Sequence, residues 1–111
     1  MQINKTTVGN LVIVEPCGRM DSTTAKPFGD HIVELIRSGS HHLLIDMQQV
    51  LYISSAGFRS LLIARKLIDE FQGKLVLCSM SAEIKRLFEI GHFTDLFLIC
   101  ATRDEGISNA K

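Results

Sequence analysis

Short apolar runs bounded by turn residues alternate along this chain with stretches whose apolar positions recur every three or four residues. Runs of the first kind read as strands, and i, i+3, i+4 recurrence reads as an amphipathic helix. Residues 2–7 mix polar and apolar side chains, as an edge strand does, and Gly9-Asn10 is a two-residue hairpin signal. Leu11-Val12-Ile13-Val14 predicts a buried strand that ends near Pro16 and Gly18, because proline has no N–H to give to a ladder. Asp21-Ser22-Thr23-Thr24 offers helix N-caps, Pro27 suits a first turn, and Phe28, Ile32, Leu35 and Ile36 share one face before Ser38-Gly39 ends the helix. Leu43-Leu44-Ile45 predicts a third strand closing at Asp46, followed by a connection over 48–54. A second helix is expected from Ser55 to Phe71, with Gly73 as its terminator. Leu75–Cys78 predicts a fourth strand. Ser79 or Ser81 caps a third helix carrying Ile84, Leu87 and Phe88 and ended by Gly91, and Leu96–Cys100 is the last strand. From Thr102 the chain is polar, which predicts a tail over 102–111 that is frayed or at best weakly helical.

Strands alternating with helices imply right-handed crossovers and an α/β fold. The expectation is one domain over 1–111: a mixed, mostly parallel sheet of four or five strands with three or four main helices and an N-terminal antiparallel hairpin. Twelve Lys and Arg balance twelve Asp and Glu, which argues against a general nucleic-acid or anionic-membrane binder, since these need a basic excess. No apolar run reaches the ~18 residues of a membrane span, and the first residues lack the apolar stretch of a secretion signal, so a cytoplasmic protein is expected. Cys17, Cys78 and Cys100 are odd in number and form no CxxC pair, which fits buried thiols in a reducing compartment.

Enzyme chemistry is not visible. There is no GxxxxGK[ST] loop, no GxGxxG after a strand and no GxSxG elbow. His31, His41, His42 and His92 lack zinc-ligand spacing, so neither a metal nor a cofactor is expected. A small enzyme using Asp21, Asp46 and a serine is disfavoured, because the sequence places no general base beside the serines.

One segment departs from plain structural chemistry. Ser54-Ser55-Ala56-Gly57 sits where a strand's carboxyl end feeds a helix, the usual functional edge of an open α/β sheet. A serine there is at least a cap. At ~100° per residue, Leu61, Ala64, Ile68 and Phe71 share a core face, and Arg59, Lys66, Asp69 and Glu70 lie opposite. Phe58 and Leu62 fall at the margin of the charged arc, near Arg59 and Arg65, and read as apolar anchors of an interface. A phosphate at this helix start is compatible with the fold and changes the charge beside that interface.

Several motifs resemble the STAS domains of bacterial anti-sigma factor antagonists. Gly18-Arg19-Met20-Asp21 resembles the family's G-x-[LI]-D turn. Asp46 through Gly57 resembles D-[LM]-x-x-V-x-[FY]-[IM]-[DS]-S-[ASG]-G, and Leu61-Leu62 continues it. Lys74-Leu75-Val76-Leu77 and Phe88-Glu89-Ile90-Gly91 with Phe97 resemble the closing strand, helix and strand. The resemblance implies a partner switch without enzymatic activity. The unmodified protein binds an anti-sigma factor that is also an ATP-dependent serine kinase, phosphorylation breaks the complex, and a PP2C-type phosphatase resets it. By position the acceptor is Ser55, with Ser54 the alternative, and the partner-binding set is Asp21, Ser54, Ser55, Ala56, Gly57, Phe58, Arg59 and Leu62. Many members carry Asp immediately before the acceptor, where this chain has Ser54. The alternative function is an unphosphorylated STAS scaffold or small-ligand sensor. Oligomeric state stays open.

Overall fold

The computed structural model describes residues 1–111. Its elements run β1 (Gln2–Val8), β2 (Leu11–Met20), α1 (Ala25–Arg37), β3 (His42–Asp46), β4 (Val50–Ile53), α2 (Ser55–Glu70), β5 (Lys74–Cys78), α3 (Ala82–Ile90), β6 (Leu98–Cys100) and α4 (Arg103–Ala110), with a 3₁₀ turn at Thr94–Leu96. The sheet has six strands in the order β1-β2-β3-β5-β6, and β4 pairs separately with the far end of β2. Only the β1–β2 hairpin is antiparallel. The α/β class, the mostly parallel sheet and the hairpin are as the sequence predicts.

Three strands differ from expectation. β6 begins at Leu98 rather than Leu96, because Thr94–Leu96 is taken up in the 3₁₀ turn. β2 does not stop near Pro16 but continues to Met20. Its last pair with β3 is Val14 with Ile45, and its first with β4 is Gly18 with Val50. Pro16 falls in the interval, where that edge asks no ladder bond of it. The expected 48–54 connection contains β4, whose Arg19–Tyr52 pair is braced by the Arg19 guanidinium 4.5 Å from the tyrosine ring centre.

The larger core cluster, 23 buried residues, fills the sheet face covered by α1, α2 and α3. Phe28, Ile32, Leu35 and Ile36 of α1 are buried in it as their spacing predicts. Ser81, rather than Ser79, caps α3 by accepting from the Ile84 N–H at 3.2 Å. Phe71 is a correction: placed on the core face by its spacing, it is 40% exposed and lies against the His41 ring, because α2 has ended one residue earlier.

The opposite face carries a second cluster of Leu11, Ile13, Leu44, Val76, Cys78, Cys100 and Ala110. Residues 102–111 cover it as α4, so the tail is neither frayed nor unpacked. Thr102 caps this helix by accepting from the Glu105 N–H. Arg103 Nη1 donates to Asp46 Oδ2 at 3.2 Å, and Asp46, 1% exposed, is the one buried charged side chain of the molecule. Gly106 lets the helix descend, since a Cβ there would lie 2.7 Å from a Leu44 methyl. Burial pushes the Cys78 and Cys100 thiols above the usual range, against any reactive role.

Candidate functional site

The carboxyl ends of β2 and β4 deliver Asp21 and the Ser54-Ser55 pair to one edge of the sheet. The Ser54 N–H donates to the Met20 carbonyl at 2.9 Å, which fixes the start of α2 beside the residue that precedes Asp21. Ser54 is itself still extended (φ −89°, ψ 175°) and caps α2, its Oγ accepting from the Gly57 N–H at 3.3 Å. Ser55 is the first helical residue and is exposed, whereas Ser54 is half-buried. The cap thus engages one hydroxyl of the pair and leaves the other facing solvent.

Asp21 holds the connection into α1. Its Oδ1 accepts from the Thr23 hydroxyl at 2.8 Å, from the Thr23 N–H at 3.0 Å and from the Thr24 N–H at 3.2 Å. The Thr24 hydroxyl donates to the Arg19 carbonyl at 2.7 Å and accepts from the Asp21 N–H. Hydrogen bonds from Thr23, and then from Thr24, hold the Asp21 carboxyl below its ordinary value of 3.8 against a smaller opposing effect of desolvation.

Gly57 lies where α2 leans on the sheet. A Cβ there would stand 2.9 Å from Ile53 Cγ2, 3.0 Å from Met20 Cγ and 3.1 Å from the Met20 carbonyl oxygen. Phe58 is the main correction to the sequence-based site. It is 6% exposed and belongs to the core. Its ring stacks on Phe93 at 4.3 Å between centres and meets Phe88 edge-on at 4.9 Å. The segment after α3 closes over the arc of α2 that the helix alone would leave open. Leu62 is half-buried against the same core, Ala56 is half-buried, and Arg59 is exposed.

The outward apolar residue is instead Ile63, 51% exposed, one turn beyond Arg59. Its signal in the sequence is the i+4 spacing from Arg59 on the charged arc. Ile63 and Arg59 line a groove of about 310 Å³ between α1 and α2, together with Lys26, Asp30, Gly29 and Ser60. The helices meet closely at its floor: Ser60 Oγ donates to the Ala25 carbonyl at 2.9 Å, and a Cβ on Gly29 would be 3.0 Å from Ser60 Oγ. No group of three or more His, Cys, Asp or Glu side chains is placed to hold a metal ion, and no helix is long and apolar enough to cross a membrane.

The STAS domain model matches residues 2–106. BtrV of Bordetella bronchiseptica, named as a candidate anti-sigma factor antagonist, is 27% identical over 111 residues, which is all of this chain and 96% of that protein. The Thermotoga maritima protein TM1081, likewise a candidate anti-sigma factor antagonist, superposes with a TM-score of 0.91 at 17% identity, over 97% of this chain and 93% of that one. The Bacillus cell fate determinant SpoIIAA in its phosphorylated form superposes with a TM-score of 0.74 at 16% identity, over 99% of this chain and 100% of that one. Matched by the STAS domain model over residues 2–106, nearly its whole length, this chain belongs to the STAS domain family.

Proposed function

We propose that this protein is a non-enzymatic anti-sigma factor antagonist of the cytoplasm, switched by phosphorylation of Ser55. The observation that carries the reading is the division of labour at the start of α2: Ser54 holds the helix, and Ser55 stands free beside it. Similarity to BtrV, and to a SpoIIAA whose phosphorylated form has the same fold, supports it. The unmodified protein binds an anti-sigma factor that is also a serine kinase and so frees the factor's target. The kinase transfers the γ-phosphoryl group of ATP to Ser55 Oγ. The new O–P bond forms as the β–γ anhydride breaks, the hydroxyl proton is lost, and ADP leaves. A PP2C-type phosphatase returns the hydroxyl by hydrolysis, releasing inorganic phosphate.

Physical chemistry favours a switch of association over one of folding. A phosphate brings roughly −1.5 to −2 charges to a helix start whose unpaired N–H groups and dipole welcome them, so the domain keeps its fold. A partner seated on this edge must desolvate that charge or face it with its own acids. Such a mismatch costs ~2–5 kcal/mol, which is ~30- to several-thousand-fold in affinity. The docking face we assign is Asp21, Ser55, Ala56, Arg59 and the outward part of Leu62, extended by Ile63. Gly57 and Phe58 support it from inside. Incubation with the cognate kinase and ATP, followed by mass spectrometry, is expected to place phosphate on Ser55. Phosphate on Ser54 moves the acceptor by one residue, and phosphate on neither overturns the switch.

The groove of about 310 Å³ favours one rival, an unphosphorylated scaffold or small-ligand sensor, since it reaches the lower end of ligand-pocket volumes. Stoichiometric binding of the kinase with no phosphate transfer is the outcome that supports this rival.

A further inference from the structure

We infer that Arg59 is an internal receptor for the phosphate on Ser55, an intrahelical clasp that withdraws a cation from the α1–α2 groove when the protein is modified. The inference rests on Ser55 being the modified residue.

Ser55 and Arg59 are both exposed and stand four residues apart on α2. Side chains at this spacing are neighbours on a helix surface, and an anion placed N-terminal to its cation is the better orientation. The molecule already uses the spacing twice, in Lys26–Asp30 at 3.2 Å on α1 and Arg65–Asp69 at 3.8 Å on α2. Arg103 is held by Asp46, so three of the chain's cations have carboxylate partners, and Arg59 is in none of these pairs. By helical rotation Arg59 lies ~40° from Ser55, and the groove residues Ala56, Ser60 and Ile63 lie further round in the same sense. Arg59 therefore stands between the hydroxyl and the groove. A phosphate offers three oxygens to a planar guanidinium fork, the geometry of a strong charge-assisted contact.

Of the other cations near this edge, Arg19 lies over the Tyr52 ring, 4.5 Å from its centre. Lys26, on the far wall of the groove, is engaged by Asp30. Asp21 belongs to the same sheet edge but is acidic and repels the phosphate. Before modification the free guanidinium is available to an acidic side chain of the partner. Afterwards the same guanidinium is occupied, so modification removes an attraction as well as adding a repulsion.

Phosphoserine encoded at position 55 of the full chain tests this without any kinase. The second ionisation of the phosphate, near pH 6 for an unperturbed group, is followed by phosphorus NMR in the parent, in Arg59→Gln and in Lys26→Gln. Arg59→Gln is expected to raise the midpoint by about 0.2–0.4 pH unit, while Lys26→Gln leaves it unchanged. The helix start and Asp21 are common to all three proteins and cancel in the comparison. Equal midpoints in parent and Arg59→Gln overturn the clasp, as does an equal shift in Lys26→Gln, which marks a general field. A kinase that ignores Ser55 overturns the switch and leaves this measurement standing.

Discussion

Two adjacent serines at the start of α2 have different work because one is half-buried and hydrogen-bonded and the other is neither. Ser54→Ala removes the side-chain acceptor for the Gly57 N–H and is expected to cost about 1 kcal/mol of stability, read by denaturant unfolding. Ser55→Ala and Ser55→Asp are expected to leave stability within about 0.5 kcal/mol of the parent. Their effect belongs to association: Ser55→Asp lowers affinity for the kinase by ~30-fold or more, and Ser55→Ala binds without being switched off, both measurable by titration calorimetry. Wild-type affinity in Ser55→Asp removes the electrostatic mechanism. Asp21 gives a pH signature at the same scale. Because its folded carboxyl titrates below 3.8, its contribution to stability is complete above that value and is lost as pH falls through the lower folded value. Asp21→Asn is expected to be less stable than the parent at neutral pH, with the difference closing only in strong acid, as unfolding across a pH series will show. Both roles are half-legible in the sequence, where Asp21 and the serines stand out by motif. Which serine caps is a matter of where β4 releases the chain, and the sequence does not mark β4.

At the scale of elements, α2 is held in place by its first turn. Phe58 reaches into the aromatic group formed with Phe88 and Phe93, and Gly57 permits close approach to Met20 and Ile53. Phe58→Ala is expected to cost about 3–5 kcal/mol in unfolding free energy, the loss of a core ring rather than of a surface contact. Gly57→Ala would gain helix propensity at an open position, but here the added methyl meets the Met20 carbonyl and a branched side chain. A net loss of about 1–2 kcal/mol is expected in the same measurement. The wheel of α2 identified Leu61, Ala64 and Ile68 as core and Arg59 as exposed, because those positions depend on the sheet face alone. It misassigned Phe58 because the ring is covered by Phe93, some thirty-five residues later in a segment with no strand or helix signal of its own. β4 is illegible in the sequence for a related reason: it is four residues long, and its Leu51 is 67% exposed, so no alternation marks it.

For the molecule as a whole, the two sheet faces are unequally covered, three helices on one and α4 on the other. Composition hides α4, since its buried positions are Gly106 and Ala110, chosen for smallness rather than apolar area. Its attachment also depends on Asp46, which the sequence marks as a strand end and as the first residue of the STAS-like segment, not as a partner for residues 102–111. Arg103→Ala leaves that buried carboxylate without its cation. The expected loss is about 2 kcal/mol, less than the ~3–5 kcal/mol of a wholly buried pair, because the arginine side chain is itself 39% exposed and solvent screens the contact. Proton exchange in α4 rising ahead of exchange in β3 and β5 would confirm that this helix lets go first.

The bond from Lys74 Nζ to the Lys111 carbonyl ties the residue after α4 to the beginning of β5. Ser55 follows the finish of β4, and β4 runs in the same sense as β2, β3 and β5. The molecule consequently has two poles, and Ser55 and the Lys111 carbonyl occupy opposite ones. A fluorophore or surface tether attached at Lys111 leaves the other pole unobstructed, so docking there can be timed on an immobilised protein without the anchor crowding the incoming partner.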